Sequence, residues 1–312
     1  MKRPRIDRRR RAWRTRQSGI ALLAMLTLLT LFGLYLFVGQ LSATQYRLGN
    51  LETDAAVLAA AREALIGRAA SDDNRPGSLP CPATSDDGIV PIFVQGNACP
   101  TYIGRFPWYT LKVGELRDSA GELLWYALDP ALRDHPVAQQ INSQTAVNLT
   151  LDGAPNIAAI IFSAQAPLPN QGGRLSNNLS DYLDASNSDG DNAYVSGPRS
   201  DAFNDQVLAV PREAVFRVVS PRVLAEVGGP GPAPSEWGLR KYHADNGSFP
   251  WADSNADGNG DVGTISGGLP YNELLLAPWL SANGWPSRIV YERLTPDSAR
   301  ISVDNSIRAV IP

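Results

Sequence analysis

From Ile20 to Val38 the chain runs IALLAMLTLLTLFGLYLFV, nineteen residues without a charge, interrupted only by Thr27, Thr30 and Gly33. A helix needs about 20 apolar residues to cross about 30 Å of hydrocarbon, so this pattern predicts a transmembrane helix over 20–38. Beyond it, Leu48, Leu51, Ala55, Leu58, Leu65 and Ala69 recur at steps of three and four, which is a helical period. No proline interrupts Leu41–Ile66, and an amphipathic continuation of the same helix is expected over 39–70. The run Asp72-Asp73-Asn74-Arg75-Pro76-Gly77 then ends it with breakers.

The pattern changes after the breakers. Leu123–Leu128 and Pro155–Ala164 are short and rich in apolar and β-branched side chains, as buried strands are. Val207–Val210 and Val215–Val219 read as short strand or helix pieces. Residues 177–199 are nearly all polar and read as an exposed loop.

Part of the sequence recurs. Gly77–Gly88 (GSLPCPATSDDG) aligns without gaps to Gly247–Gly258 (GSFPWADSNADG), with five identities in twelve positions. Downstream, Phe106-Pro107-Trp108 answers Leu269-Pro270-Tyr271, and Leu124-Trp125-Tyr126 answers Ile289-Val290-Tyr291. Each copy follows a helical run, 59–70 and 236–243. The GGPGPAP stretch at 228–234 is the natural linker between the copies, so a first body of 71–227 and a second of 235–312 are expected.

Charge divides the chain differently. Residues 1–19 hold nine basic side chains and one acidic one, which leaves the rest of the chain at −11 within a total of −3. A basic block before an apolar helix stays cytoplasmic, so the body is expected outside the membrane. An acidic body argues against nucleic acid as a partner.

The order of basic leader 1–19, Gln17-Ser18-Gly19 and an apolar helix starting at Ile20 resembles the signal of type IV prepilins and type II secretion pseudopilins. Leu239–Pro250 (LRKYHADNGSFP) resembles the helix exit of major pseudopilins. The resemblance implies cleavage after Gly19 by a prepilin peptidase and methylation of the new terminus at Ile20. It also implies an α+β, pilin-like fold, in which a long N-terminal transmembrane helix packs on an antiparallel sheet, with a second pilin-like half. The partners it implies are prepilin peptidase, other pilins or pseudopilins and the inner-membrane assembly platform. Localisation would be single-pass in the inner membrane with a periplasmic body. The fifth mature position is Ala24, where most of the family carries glutamate; the large K-type minor pseudopilin, placed at the pseudopilus tip, also lacks it.

Two chemical features follow from the residues. Cys81 and Cys99 are the only cysteines, and an oxidising compartment lets them pair. Asp253, Asn255, Asp257, Asn259 and Asp261 follow the start of a calcium loop, with Gly258 at its sixth position and Thr264 in place of the twelfth-position glutamate. Calcium is therefore the expected cofactor; the alternative is a hydrophilic surface loop without metal. No nucleophile elbow, zinc-protease helix or phosphate loop is present, so an enzyme is not expected. The expected function is a structural minor pilin or pseudopilin, assembled into a type IV pilus or secretion pseudopilus, at the tip in one version. The alternative is a membrane-anchored, calcium-dependent binding or adhesion protein that does not polymerise.

Overall fold

The computed structural model describes residues 18–93, 97–135, 139–169, 171–174, 176–231 and 235–312, with side chains for 22–37 and for those from 49 onward. Most of the expected leader (1–17) and part of the expected linker (232–234) lie outside the described residues. The chain divides at Glu52 into two compact units.

The first unit, as described, is the N-terminal part of helix α1 (Ser18–Ser71). Its apolar side chains from Leu22 to Phe37 all project from the helix, from 50% exposed at Leu36 to 76% at Tyr35. The two threonine hydroxyls in this run are used up within the helix. Thr27 donates to the carbonyl of Ala24 and Thr30 to that of Thr27, each at 2.9 Å.

The second unit, Thr53–Pro312, opens with the end of α1. The four-residue step from Leu58 to Arg62 and the seven-residue step to Leu65 place Leu58, Ala61, Leu65, Ile66 and Ala69 on one stripe, and all five are buried in the main core. The helix stops where Asp72 Oδ1 accepts the N–H groups of Asn74 (3.0 Å) and Arg75 (2.6 Å). Gly77 follows at φ +102°, packed so closely on Phe216 that a Cβ there would lie 2.7 Å from its ring.

Six strands make the first sheet: β1 (Ile103–Arg105), β2 (Trp125–Leu128), β3 (Leu149–Leu151), β4 (Ala154–Ser163), β5 (Ala193–Tyr194) and β6 (Gln206–Pro211). β4 is central. It pairs antiparallel with β2, β3 and β6, while β3 and β5 pair in parallel. Helix α2 (Arg212–Gly228) follows β6 directly, and a close reversal leads into α3 (Gly238–Asn246). That reversal depends on glycine. Gly229 and Gly238 both have positive φ, and a Cβ on Gly238 would sit 2.6 Å from the Val227 carbonyl. Then come β7 (Ser266–Gly268), α4 (Pro278–Ala282), β8 (Val290–Thr295), β9 (Ser298–Val303) and β10 (Ser306–Val310). These four strands form a second, antiparallel sheet in the order β10-β9-β8-β7.

One core runs through both sheets, joining α1 and α2 to Leu128, Ile161, Tyr291 and Ile301. A second, smaller core lies on the opposite face of the first sheet. There Trp125, Ile160 and Phe162 are covered by Tyr182, Leu183 and Tyr194. The polar stretch 177–199 is thus not simply an exposed loop; parts of it form a layer over that sheet.

Two expectations are corrected. Among the described residues no helix is long and apolar enough to cross a membrane. The single-pass inner-membrane localisation expected from Ile20–Val38 falls with that observation. The pilin-like fold is corrected with it. The body is α+β with two sheets, the first of them mixed, and the helix lying against strands of both sheets is α2 rather than a transmembrane helix on one antiparallel sheet.

Candidate functional site

The residues expected to carry function fall in three places. Gly19 and Ile20 belong to the first turn of α1; their surroundings lie outside the described side chains. The exposed apolar run follows them along the same helix.

Cys81 and Cys99 form a disulfide, with Cα atoms 5.6 Å apart across a separation of 18 residues. Both are buried. Closing a loop of this size removes unfolded-state entropy worth about 3 kcal/mol.

The Asp253 loop is tightly wound around its own amides. Asp253 is buried; its Oδ1 accepts the N–H groups of Asn255 (3.0 Å) and Ala256 (2.7 Å), and its Oδ2 that of Gly258 (2.7 Å). Asp257 Oδ1 accepts from the Asn259 backbone at 2.8 Å, and Asn255 Oδ1 from that of Asp257 at 2.9 Å. Asp261 Oδ2 takes the hydroxyl (2.6 Å) and N–H (2.7 Å) of Ser254, and these bonds hold its carboxyl below the usual range. Asp253, Asn255, Asp257 and Asp261 thus direct oxygens at backbone and side-chain donors, while the Asn259 side-chain amide donates to Asp257 Oδ1 at 3.0 Å. Among the described residues no group of three or more His, Cys, Asp or Glu side chains is arranged to hold a metal ion.

The sequence echo has a geometric counterpart. The Tyr126 hydroxyl donates to the Pro80 carbonyl at 3.2 Å, and that of Tyr291 to the Pro250 carbonyl at 2.8 Å. Ala83 bridges to Arg105 in the first copy, and Asp253 to Gly268 in the second. Gly104 pairs with Tyr126 and Gly267 with Tyr291 in the two antiparallel ladders. Gly88 and Gly258 both have positive φ, and each is so close to an aromatic ring, Trp108 or Tyr271, that a Cβ would approach it to 2.5 Å. Every one of these pairs joins positions that correspond in the alignment of the two copies.

Three buried polar groups escaped the sequence reading. Asp54, on the otherwise apolar stripe of α1, accepts the N–H (2.6 Å) and hydroxyl (3.0 Å) of Ser119 and the side-chain amides of Gln165 (3.0 Å) and Gln206 (2.8 Å). Asp118 beside it accepts the Ser163 hydroxyl at 3.0 Å and the Gln165 N–H at 2.9 Å. In the layer over the first sheet, Asp205 Oδ2 accepts the N–H of Asp184 and the amide of Asn187, both at 2.9 Å, while its Oδ1 has no partner. Burial, with the Asp184 charge adding to it, pushes the Asp205 carboxyl up to about 7. A lone acid at a core position of a helical stripe, as at Asp54, was the one readable signal among these.

No family model, curated protein or solved structure matches this chain.

Proposed function

We propose that the protein is a structural, non-catalytic subunit of prepilin type, which associates with other subunits through the N-terminal part of α1. The observation that carries this is the run Leu22–Phe37, whose apolar side chains are exposed on every side of the helix. A helix that is apolar all round needs surroundings that remove it from water, and helices of other subunits supply such surroundings. The hydroxyls of Thr27 and Thr30 are bonded back to the helix and need no outside partner. Ala24 fits this burial, because a carboxylate at that position would need a partner of opposite charge.

On this reading a prepilin peptidase cleaves after Gly19 and Ile20 becomes the methylated terminus. The body 53–312, stapled by Cys81–Cys99, is then the part displayed by the assembly. Co-expression of the full chain with a prepilin peptidase, followed by mass spectrometry of the amino terminus, tests it. The expected product begins at methylated Ile20, and single cysteines placed along 22–37 cross-link to other pilin-type subunits. A chain that keeps its leader, or whose helix cross-links to no subunit, removes the proposal.

A further inference from the structure

A cavity of about 310 Å³ opens beside β1 and β2, and its wall includes Ala83, Thr84, Gly104, Arg105, Trp125 and Leu179. Arg105 is 4% exposed. Its guanidinium carbon lies 4.2 Å from the ring centroid of Trp125 and 4.2 Å from that of Tyr182, so the cation rests against two rings that also touch each other, with centroids 5.1 Å apart. Such stacking is favourable for a guanidinium, whose charge is spread and weakly hydrated.

The stacking leaves the in-plane N–H groups unaccounted for. Arg105 Nη1 has no hydrogen-bond partner, and neither has the indole N–H of Trp125 in the same wall. Buried donors without partners are costly, more so when charged. The one counter-charge is Asp86, whose Oδ1 lies 2.7 Å from Nε as an ion pair, outside hydrogen-bond geometry. Asp86 is 65% exposed at its side chain, on the polar turn 84–88, so this carboxylate reaches the guanidinium from the solvent side.

The second copy of the repeat separates fold from function here. The position of Arg105 corresponds to Gly268 and that of Trp125 to Val290, yet the same ladder and the same tyrosine-to-proline bond form. Closing this strand-and-loop unit therefore requires neither the guanidinium nor the indole.

We propose that this cavity is a binding site for a carboxylate ligand carried on a small apolar body. The ligand's carboxylate engages the guanidinium where Asp86 Oδ1 now lies, and Asp86 is the built-in competitor that it displaces into solvent. The size is at the lower end for small-molecule sites, and Ala83, Ile103, Trp125 and Leu179 give the wall its apolar part beside Thr84, Thr101 and Asn177.

Two probes distinguish the source of the carboxylate: benzoate as a free acid, and a blocked tripeptide with a central aspartate as an acid borne on a chain. Binding to the full chain is followed by tryptophan fluorescence and by isothermal titration, with benzamide and the corresponding asparagine peptide as uncharged controls. At least one acid is expected to bind, its control at least tenfold more weakly, and the better probe names the source. Asp86→Asn, a change at an exposed side chain, is expected to tighten binding at least fivefold by removing the competitor. Arg105→Lys is expected to weaken it at least tenfold with the melting temperature followed in parallel. If neither acid binds to the native chain or to the Asp86→Asn variant, or if the uncharged controls bind equally well, the proposal is overturned.

Discussion

Tyr291 donates its phenolic hydrogen to the carbonyl of Pro250 at 2.8 Å, in the interior between β8 and the turn that follows α3. Tyr126 makes the corresponding bond to Pro80. Burial raises the pKa of both phenols above the ordinary tyrosine value, so each is a neutral donor at neutral pH. Replacing either hydroxyl leaves a buried carbonyl without its donor, at about 1 kcal/mol. Tyr126→Phe and Tyr291→Phe should each lower unfolding free energy by that amount in urea titrations, and the double variant by about the sum. A strongly unequal pair of losses would show that the two copies do not depend on this bond alike.

The disulfide joins the start of the first copy to the segment leading into β1. Reduction, or Cys81→Ser with Cys99→Ser, should lower stability by about 3 kcal/mol. The measurement is thermal unfolding with and without reductant, and the double variant should lose its sensitivity to reductant altogether.

Asp54 ties the end of α1 to Ser119, Gln165 and Gln206, three points far apart in the chain. Asp54→Ala would leave those donors buried and unpaired, a loss of about 3 kcal/mol. Hydrogen exchange should show the effect first in residues 53–71 and in the turn around Ser119. Asp54→Asn, which keeps one acceptor oxygen, should cost less.

Asp205 predicts a pH dependence. Its carboxyl titrates near 3.8 as a model group and is pushed up to about 7 in the fold. Between those values the folded chain holds a proton that the unfolded chain has released. The stabilisation is therefore complete below about pH 4 and is lost as pH rises through about 7, by at most about 4 kcal/mol. Asp205→Asn retains an acceptor for Asp184 and Asn187 but has no proton to lose. The native chain should lose stability relative to this variant between pH 5 and pH 8; parallel melting curves across that range would refute the assignment.

What could be read beforehand depended on the kind of force involved. The recurrence of Gly77–Gly88 at Gly247–Gly258 was visible because both copies need a glycine where an aromatic ring presses on the backbone, at Gly88 against Trp108 and at Gly258 against Tyr271. The pairing of Cys81 with Cys99 followed from there being no other cysteine. Residues 177–199 defeated the reading, because their buried apolar members, Tyr182, Leu183 and Tyr194, follow no period, and Asp184 and Asn187, with Asp205 just beyond, are held by hydrogen bonds. Arg105 was hidden for a similar reason: its aromatic neighbours Trp125 and Tyr182 are distant in sequence. The apolar run of α1 was read as a membrane span from its length over 20–38, while among the described residues no helix is long and apolar enough for one.

In the second sheet β8, β9 and β10 follow one another through two-residue turns, at Pro296-Asp297 and Asp304-Asn305. The corresponding strands of the first sheet, β2, β4 and β6, are separated by residues 129–153 and 164–205. The shorter copy is thus an internal control, recording the least chain that closes this unit. Against it, the outer layer of the first copy is an elaboration, matched by an outward sheet face of Trp125, Ile160 and Phe162 where the bare copy carries Val290, Glu292 and Arg300. A molecule with one dressed and one undressed version of the same unit can vary the dressing freely, because the scaffold beneath it has already been shown to stand without it.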